Sequence, residues 1–125
     1  MATAVHSLIL GRKVQGTAVF NPAGEKIGHV EDLSIHKISG QVIYAILSFG
    51  GFLGVGERYH PVPWKVLSYD TSKNGYVIPL DKQALQDAPN YDLADLGDLG
   101  ADSDLRYREP VFSYYGGFGA RPYWP

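Results

Sequence analysis

His29, Glu31, Asp32 and His36 form the densest group of side chains in the chain that could hold a metal or move a proton. On an extended strand alternate residues share a face, so His29 and Glu31 would point the same way and His36 the other. A solvated polar rim beside a hairpin is the better reading of that cluster. The glycine-rich loop Gly50-Gly51-Phe52-Leu53-Gly54-Val55-Gly56 offers backbone N–H groups to a phosphate. No Lys or Ser/Thr follows it at P-loop spacing and no helix opens behind it, so a sharp corner with Phe52 and Leu53 tucked in fits better. Asp98, Asp102 and Asp104 have part of the acid spacing of a calcium loop but lack its alternating oxygens and terminal Glu, which leaves a solvated acidic linker. Ser48 and Ser68 with His36 and His60 are nucleophile and base types, yet no spacing joins them. The expectation is a chain with no catalytic residue, no cofactor and no metal.

The elements around these residues are those of a strand-rich body. Lys13 to Phe20 reads as a first strand, and Asn21-Pro22-Ala23-Gly24 as a hairpin turn in which Pro fixes one φ and Gly supplies a positive one. Ile27, Val30, Leu33 and Ile35 lose strict alternation, which a bulge near Gly28 would restore. After the Ser39-Gly40 turn, Val42 to Phe49 has almost no polar position, so both its faces should be covered, one of them by the tail or a second subunit. Pro61 and Pro63 cannot donate to a ladder and place Arg58 to Pro63 on an edge. Trp64 to Tyr69, the Ser72-Lys73-Asn74-Gly75 turn and Tyr76 to Leu80 predict a last hairpin. Asp81 caps a short predicted helix that Ala88-Pro89 ends.

Composition narrows the function classes. The chain of 125 residues is 45% hydrophobic and can bury one core, but it is short for two ordinary domains. It has no Cys, which removes disulfides, thiolate metal sites and cysteine nucleophiles. Leu8-Ile9-Leu10 is too short for a signal peptide or membrane span, and the reading is a soluble, cytoplasmic protein. The net charge of −2 divides into a near-neutral body up to residue 86 and an acidic remainder, so a concentrated basic face for nucleic acid is not in evidence. From residue 90 an acid-then-Leu pattern gives way to an aromatic, glycine-rich end. That tail is expected to be extended or packed on a surface of the body.

Four blocks in order carry a resemblance: Gly24-Glu25-Lys26-Ile27-Gly28-His29-Val30-Glu31-Asp32-Leu33, Val42 to Ser48, Gly50 to Gly56, and Pro61-Val62-Pro63-Trp64. Over roughly Ser7 to Pro89 the chain resembles the PRC-barrel family. The resemblance implies a mainly β fold, a small six-stranded, mostly antiparallel barrel over residues 1–89 with one short C-terminal helix, and an irregular tail over 90–125. The same fold occurs in the cytoplasmic domain of the photosynthetic reaction centre H subunit and the C-terminal domain of a ribosome maturation factor, both docking modules. It carries no catalytic motif.

The reading is therefore a non-catalytic protein-interaction or adaptor module with a protein partner. It would self-associate, as a dimer by preference, through an apolar face drawn from Tyr44, Phe49, Phe52, Leu53, Tyr59 and Trp64. An RNA- or ribosome-associated barrel is the alternative, and a small-ligand or metal-dependent activity the third.

Overall fold

Extended residues gather into six strands in the computed structural model, which describes residues 7–49, 58–96 and 104–124. They are β1 (Ala18–Phe20), β2 (Lys26–Ile35), β3 (Val42–Ser48), β4 (Tyr59–Pro63), β5 (Ser68–Asp70) and β6 (Gly75–Val77). The sheet order is β4-β3-β2-β1-β6-β5, antiparallel throughout except for the β1–β6 pair, which is parallel.

Local chemistry sets the hairpins. Asn21 Oδ1 accepts from the Glu25 N–H at 2.9 Å and Gly24 sits at φ +85°, closing the β1–β2 turn. At the β5–β6 turn, Asp70 Oδ1 accepts from the Ser72 N–H and hydroxyl at 2.9 and 2.6 Å, and Asn74 takes φ +50°. The register of β1 on β2 skips Ile27, since Val19 faces Gly28 and Phe20 faces Lys26. That bulge puts Ile27 and Val30 in the core together although they are an odd number of residues apart. Two further register shifts, after Val30 and after Ser34 along the β2–β3 pair, bend the long strand.

The two ends of the strand order are neighbours in sequence. A flat sheet of six strands would hold β4 and β5 about 24 Å apart, whereas the five peptide steps from Pro63 to Ser68 reach at most about 18 Å. The sheet must curl. Trp64–Val66 makes the corner as a 3-10 turn, with the Leu67 N–H donating to the Trp64 carbonyl at 3.1 Å. The predicted strand from Trp64 to Tyr69 is corrected accordingly: of its residues only Ser68 and Tyr69 are in a strand, and they belong to β5.

A similar correction applies at the start. Of the predicted strand Lys13 to Phe20, the first part is the helical turn α1 (Gly11–Val14), because the Leu10 carbonyl accepts from the N–H groups of Lys13 and Val14. Gly16 at φ +85° then turns the chain into β1.

Helix α2 (Lys82–Asp87) is capped by Asp81, whose side chain accepts from the Ala84 N–H at 2.8 Å, and it ends at Ala88. Beyond it the chain forms α3 (Leu93–Leu96) and the longer α4 (Asp104–Tyr115). Of the two expectations for the tail, extended or packed on the body, the described residues after Pro89 show packing. Tyr107, Val111, Phe112, Tyr115 and Ala120 lie in the same core as Val19, Val30, Leu47, Val62 and Ile78. The spacing of Tyr107, Val111 and Tyr115 puts them on one helix face, which packs across β4.

Candidate interaction site

β3 alternates its side chains to the two faces of the sheet, yet every residue from Tyr44 to Phe49 is buried. Both faces are therefore covered, and the cover over Tyr44 comes from the chain's own C-terminal segment. The Tyr44 ring meets Phe112 at 5.6 Å and Tyr123 at 6.3 Å between centroids. Phe112 also packs on Tyr123 and Trp124, and the Arg108 guanidinium lies 4.5 Å over the Trp124 ring.

This arrangement corrects the expected docking face. Tyr44 (1% exposed), Phe49 and Tyr59 are core residues with no surface to offer a partner. Phe49 packs edge-on to His60, with ring centroids 4.8 Å apart. The backbone of Tyr59 exchanges two 2.9 Å hydrogen bonds with Tyr91, so the outer edge of β4 receives a short bridge from the segment after α2. Arg58 fastens that segment further, donating to Asn90 Oδ1 at 2.8 Å. Trp64 alone of the described candidates is partly exposed, resting against Tyr76 at 5.3 Å. Phe52 and Leu53, with the rest of the expected glycine corner, lie outside the described residues.

Trp64 lines a cleft of about 540 Å³ between the barrel wall and the C-terminal segment. Val42, Ile43 and Pro63 form its barrel side, and Phe112, Pro122 and Tyr123 its C-terminal side. Its charged lining among the described residues is Lys65 and Arg121, both exposed, and that lining contains no carboxylate, imidazole or aliphatic hydroxyl. Among the described residues neither cation has an ion-pair or hydrogen-bond partner for its side chain, whereas Arg58 and Arg108 are engaged within the chain. A second cleft of about 560 Å³ lies across Phe112 and Pro122, where Glu109, Ser113 and Trp124 contribute.

Sequence reasoning missed Lys65, Phe112 and Arg121. Arg121 had a signal, because it is the one charged residue after Glu109 and it precedes Pro122 in an otherwise aromatic and glycine-rich stretch. Lys65 had none beyond its place next to Trp64.

The sequence-predicted polar groups do not converge. His29 Nε2 lies 3.5 Å from Glu31 Oε1 on an exposed stretch of β2. His36 is at the hairpin tip, where its Nδ1 accepts from the Ser39 N–H at 3.1 Å. Among the described residues no three His, Asp or Glu side chains gather as metal ligands do. Two polar atoms are sealed in the core without a partner among the described residues, Nδ1 of His60 and the Tyr115 hydroxyl. Burial, with the Arg58 charge second, lowers the His60 pKa to about 4, and burial pushes Tyr115 far above the ordinary phenol range. Both groups stay neutral near neutral pH. Exposed apolar side chains are found elsewhere, at Leu8, Ile9 and Leu10 before α1 and at Ile35 and Ile38 around the β2–β3 tip.

No described helix is long and apolar enough to cross a membrane. A comparison with curated proteins finds no match. The sequence model of the PRC-barrel domain matches residues 7–85, from just before α1 into α2, so α3 and α4 lie beyond the matched part. With six strands in a mostly antiparallel curled sheet over those residues, the chain belongs to the PRC-barrel domain family.

Proposed function

We propose that the chain is a non-catalytic protein-docking module whose docking site is the cleft between the barrel wall and the C-terminal segment. The observation that carries this reading is the make-up of the cleft. Its walls are apolar and aromatic around Trp64 and Phe112, and among the described residues its charged groups are two cations without a side-chain partner. Such walls gain from shedding water when a side chain enters, while cations at the rim orient what enters. Acid–base chemistry would call for a titratable pair in reach of the cleft, and among the described residues its lining holds neither a carboxylate nor an imidazole.

Self-association through Tyr44, Phe49 and Tyr59 is not proposed again, since the chain itself covers them. The partner is a different protein, and a cytoplasmic setting suits a chain without Cys.

Site-specific photo-cross-linking in native extract tests the proposal. A photoreactive residue placed at Gln41, in the cleft lining, should give a discrete protein adduct. Excess unlabelled chain should compete it away, and excess Trp64→Ala chain should not. An equal adduct from a probe at Lys26, on exposed β2 outside the cleft, would remove the reading, as would no adduct at all.

A further inference from the structure

Lys65 and Arg121 come from parts of the chain far apart in sequence and meet over the same apolar cleft. Lys65 sits in the 3-10 corner between β4 and β5, a place fixed by the need to join the two ends of the sheet. Arg121 is held between two stiff flanks. On one side Gly119 takes φ +91° and the Ala120 N–H donates to the Tyr115 carbonyl at 3.1 Å. On the other, Pro122 restricts the Arg121 backbone itself to extended conformations. Both charges are thus carried on backbone that is already ordered, which lowers the entropic cost of engaging a ligand with them.

Arg58, Lys73 and Arg108 are engaged within the chain, on Asn90, over the Phe20 ring and over Trp124. Arg12, Lys13, Lys26 and Lys37 are exposed and, among the described residues, without a side-chain partner, as Lys65 and Arg121 are; what sets the last two apart is that they share one apolar cleft. Among the described residues no acid lines it, and Glu109 belongs to the neighbouring cleft, which shares Phe112 and Pro122 with this one. A volume of about 540 Å³ is within the span of roughly 300–1,000 Å³ that accommodates compact ligands or anchoring side chains.

We infer that the cleft takes an acidic segment of a partner protein, seating one or two apolar side chains against Trp64, Phe112 and Tyr123 while flanking carboxylates meet Lys65 and Arg121. This rests on the docking reading above and adds the partner's chemistry. Charge complementarity decides the sign, because two cations with no acid beside them in the described lining repel a basic segment and attract an acidic one. A strand of RNA could also stack on Trp64 and Tyr123, but tracking a phosphate backbone takes a longer row of cations, in a chain whose net charge is −2. An acidic protein segment fits two cations better.

The chain has two Trp residues, one in each cleft, so the Trp124→Phe variant leaves Trp64 as a reporter of this site alone. Its fluorescence is titrated with three synthetic peptides: one alternating Asp with Leu, one with each Asp replaced by Lys, and one with each Leu replaced by Ser. A uridine-rich RNA oligomer is the fourth probe. The acidic leucine peptide should bind at least about tenfold more tightly than the other peptides and the RNA, since two surface ion pairs supply about that much. Adding Lys65→Glu and Arg121→Glu together should invert the preference between acidic and basic peptides, with the thermal midpoint unchanged because both side chains are exposed. Equal binding of the acidic and basic leucine peptides would overturn the acidic partner and leave the docking cleft standing. Failure of every probe to perturb Trp64 would overturn both, and preferential RNA binding would replace the protein partner with RNA.

Discussion

His60 is the residue whose environment makes the sharpest claim. It is 1% exposed, its Nδ1 has no partner among the described residues, and its pKa falls from 6.5 to about 4 through burial, with Arg58 adding repulsion. A histidine with a depressed folded-state pKa binds fewer protons folded than unfolded between those two values. Stability is therefore complete above about pH 6.5 and is lost progressively down to about pH 4, by at most ~3 kcal/mol. Asp70 acts in a lower window: the Ser72 hydrogen bonds depress its pKa, so its contribution disappears only below the ordinary carboxylate value of 3.8. Urea titrations across that range should show the upper slope, and His60→Phe should flatten it while leaving the acid limb. A wild-type chain equally stable at both ends of the upper window would show that His60 is solvated or partnered when charged.

At the scale of elements, legibility in the sequence depends on how local each cause is. The Asp81 cap acts across three residues, and removing it with Asp81→Ala should cost about 1 kcal/mol, measured as a lower denaturant midpoint at unchanged slope. Turns at Asn21–Gly24 and Asp70–Asn74 are equally local, and the bulge beside Gly28 was visible as broken alternation, although the close packing of Gly28 is against β3 and its end, twenty residues on. A Cβ on Gly28 would run into the Ser48 carbonyl and come within 2.9 Å of the Phe49 Cα. The 3-10 corner at Trp64–Val66 was not legible, because its cause is the closure of the whole sheet and not the preference of Trp, Lys and Val. Helix α4 was missed for another reason. Pro110 lies inside it and most of its other residues, the Asp, Tyr, Val, Phe and Ser, are weak helix formers, so the spacing of Tyr107, Val111 and Tyr115 carried the main signal. The cleft is built from α4 and from the residues up to Tyr123 that pack back onto the barrel, and it went unseen with them.

For the whole molecule the consequence is that the C-terminal segment is a wall of the core and not an appendage. The surplus apolarity of β3, which called for cover by the tail or a second subunit, is absorbed by the tail, with Phe112 and Tyr123 over Tyr44 and Val111 and Tyr115 beside β4. Detaching that wall should bring the surplus back to the surface. Val111 is 0% exposed in α4, and Val111→Asp would place an unpaired carboxylate in the core, at a cost of at least ~3 kcal/mol. Undocking α4 avoids part of that cost by letting the carboxylate reach water, and it exposes Tyr44 and the apolar strand beneath. The expected outcome is a lower thermal midpoint together with concentration-dependent association in sedimentation, which the wild-type chain should not show at the same concentrations. Ser113→Asp, on the exposed side of the same helix, adds the same charge and should change stability by no more than about 0.5 kcal/mol. If the two variants behaved alike, charge and not undocking would be the cause, and α4 would be a peripheral strap. If Val111→Asp lost stability without associating, the strand beneath α4 would be covered by something other than this helix.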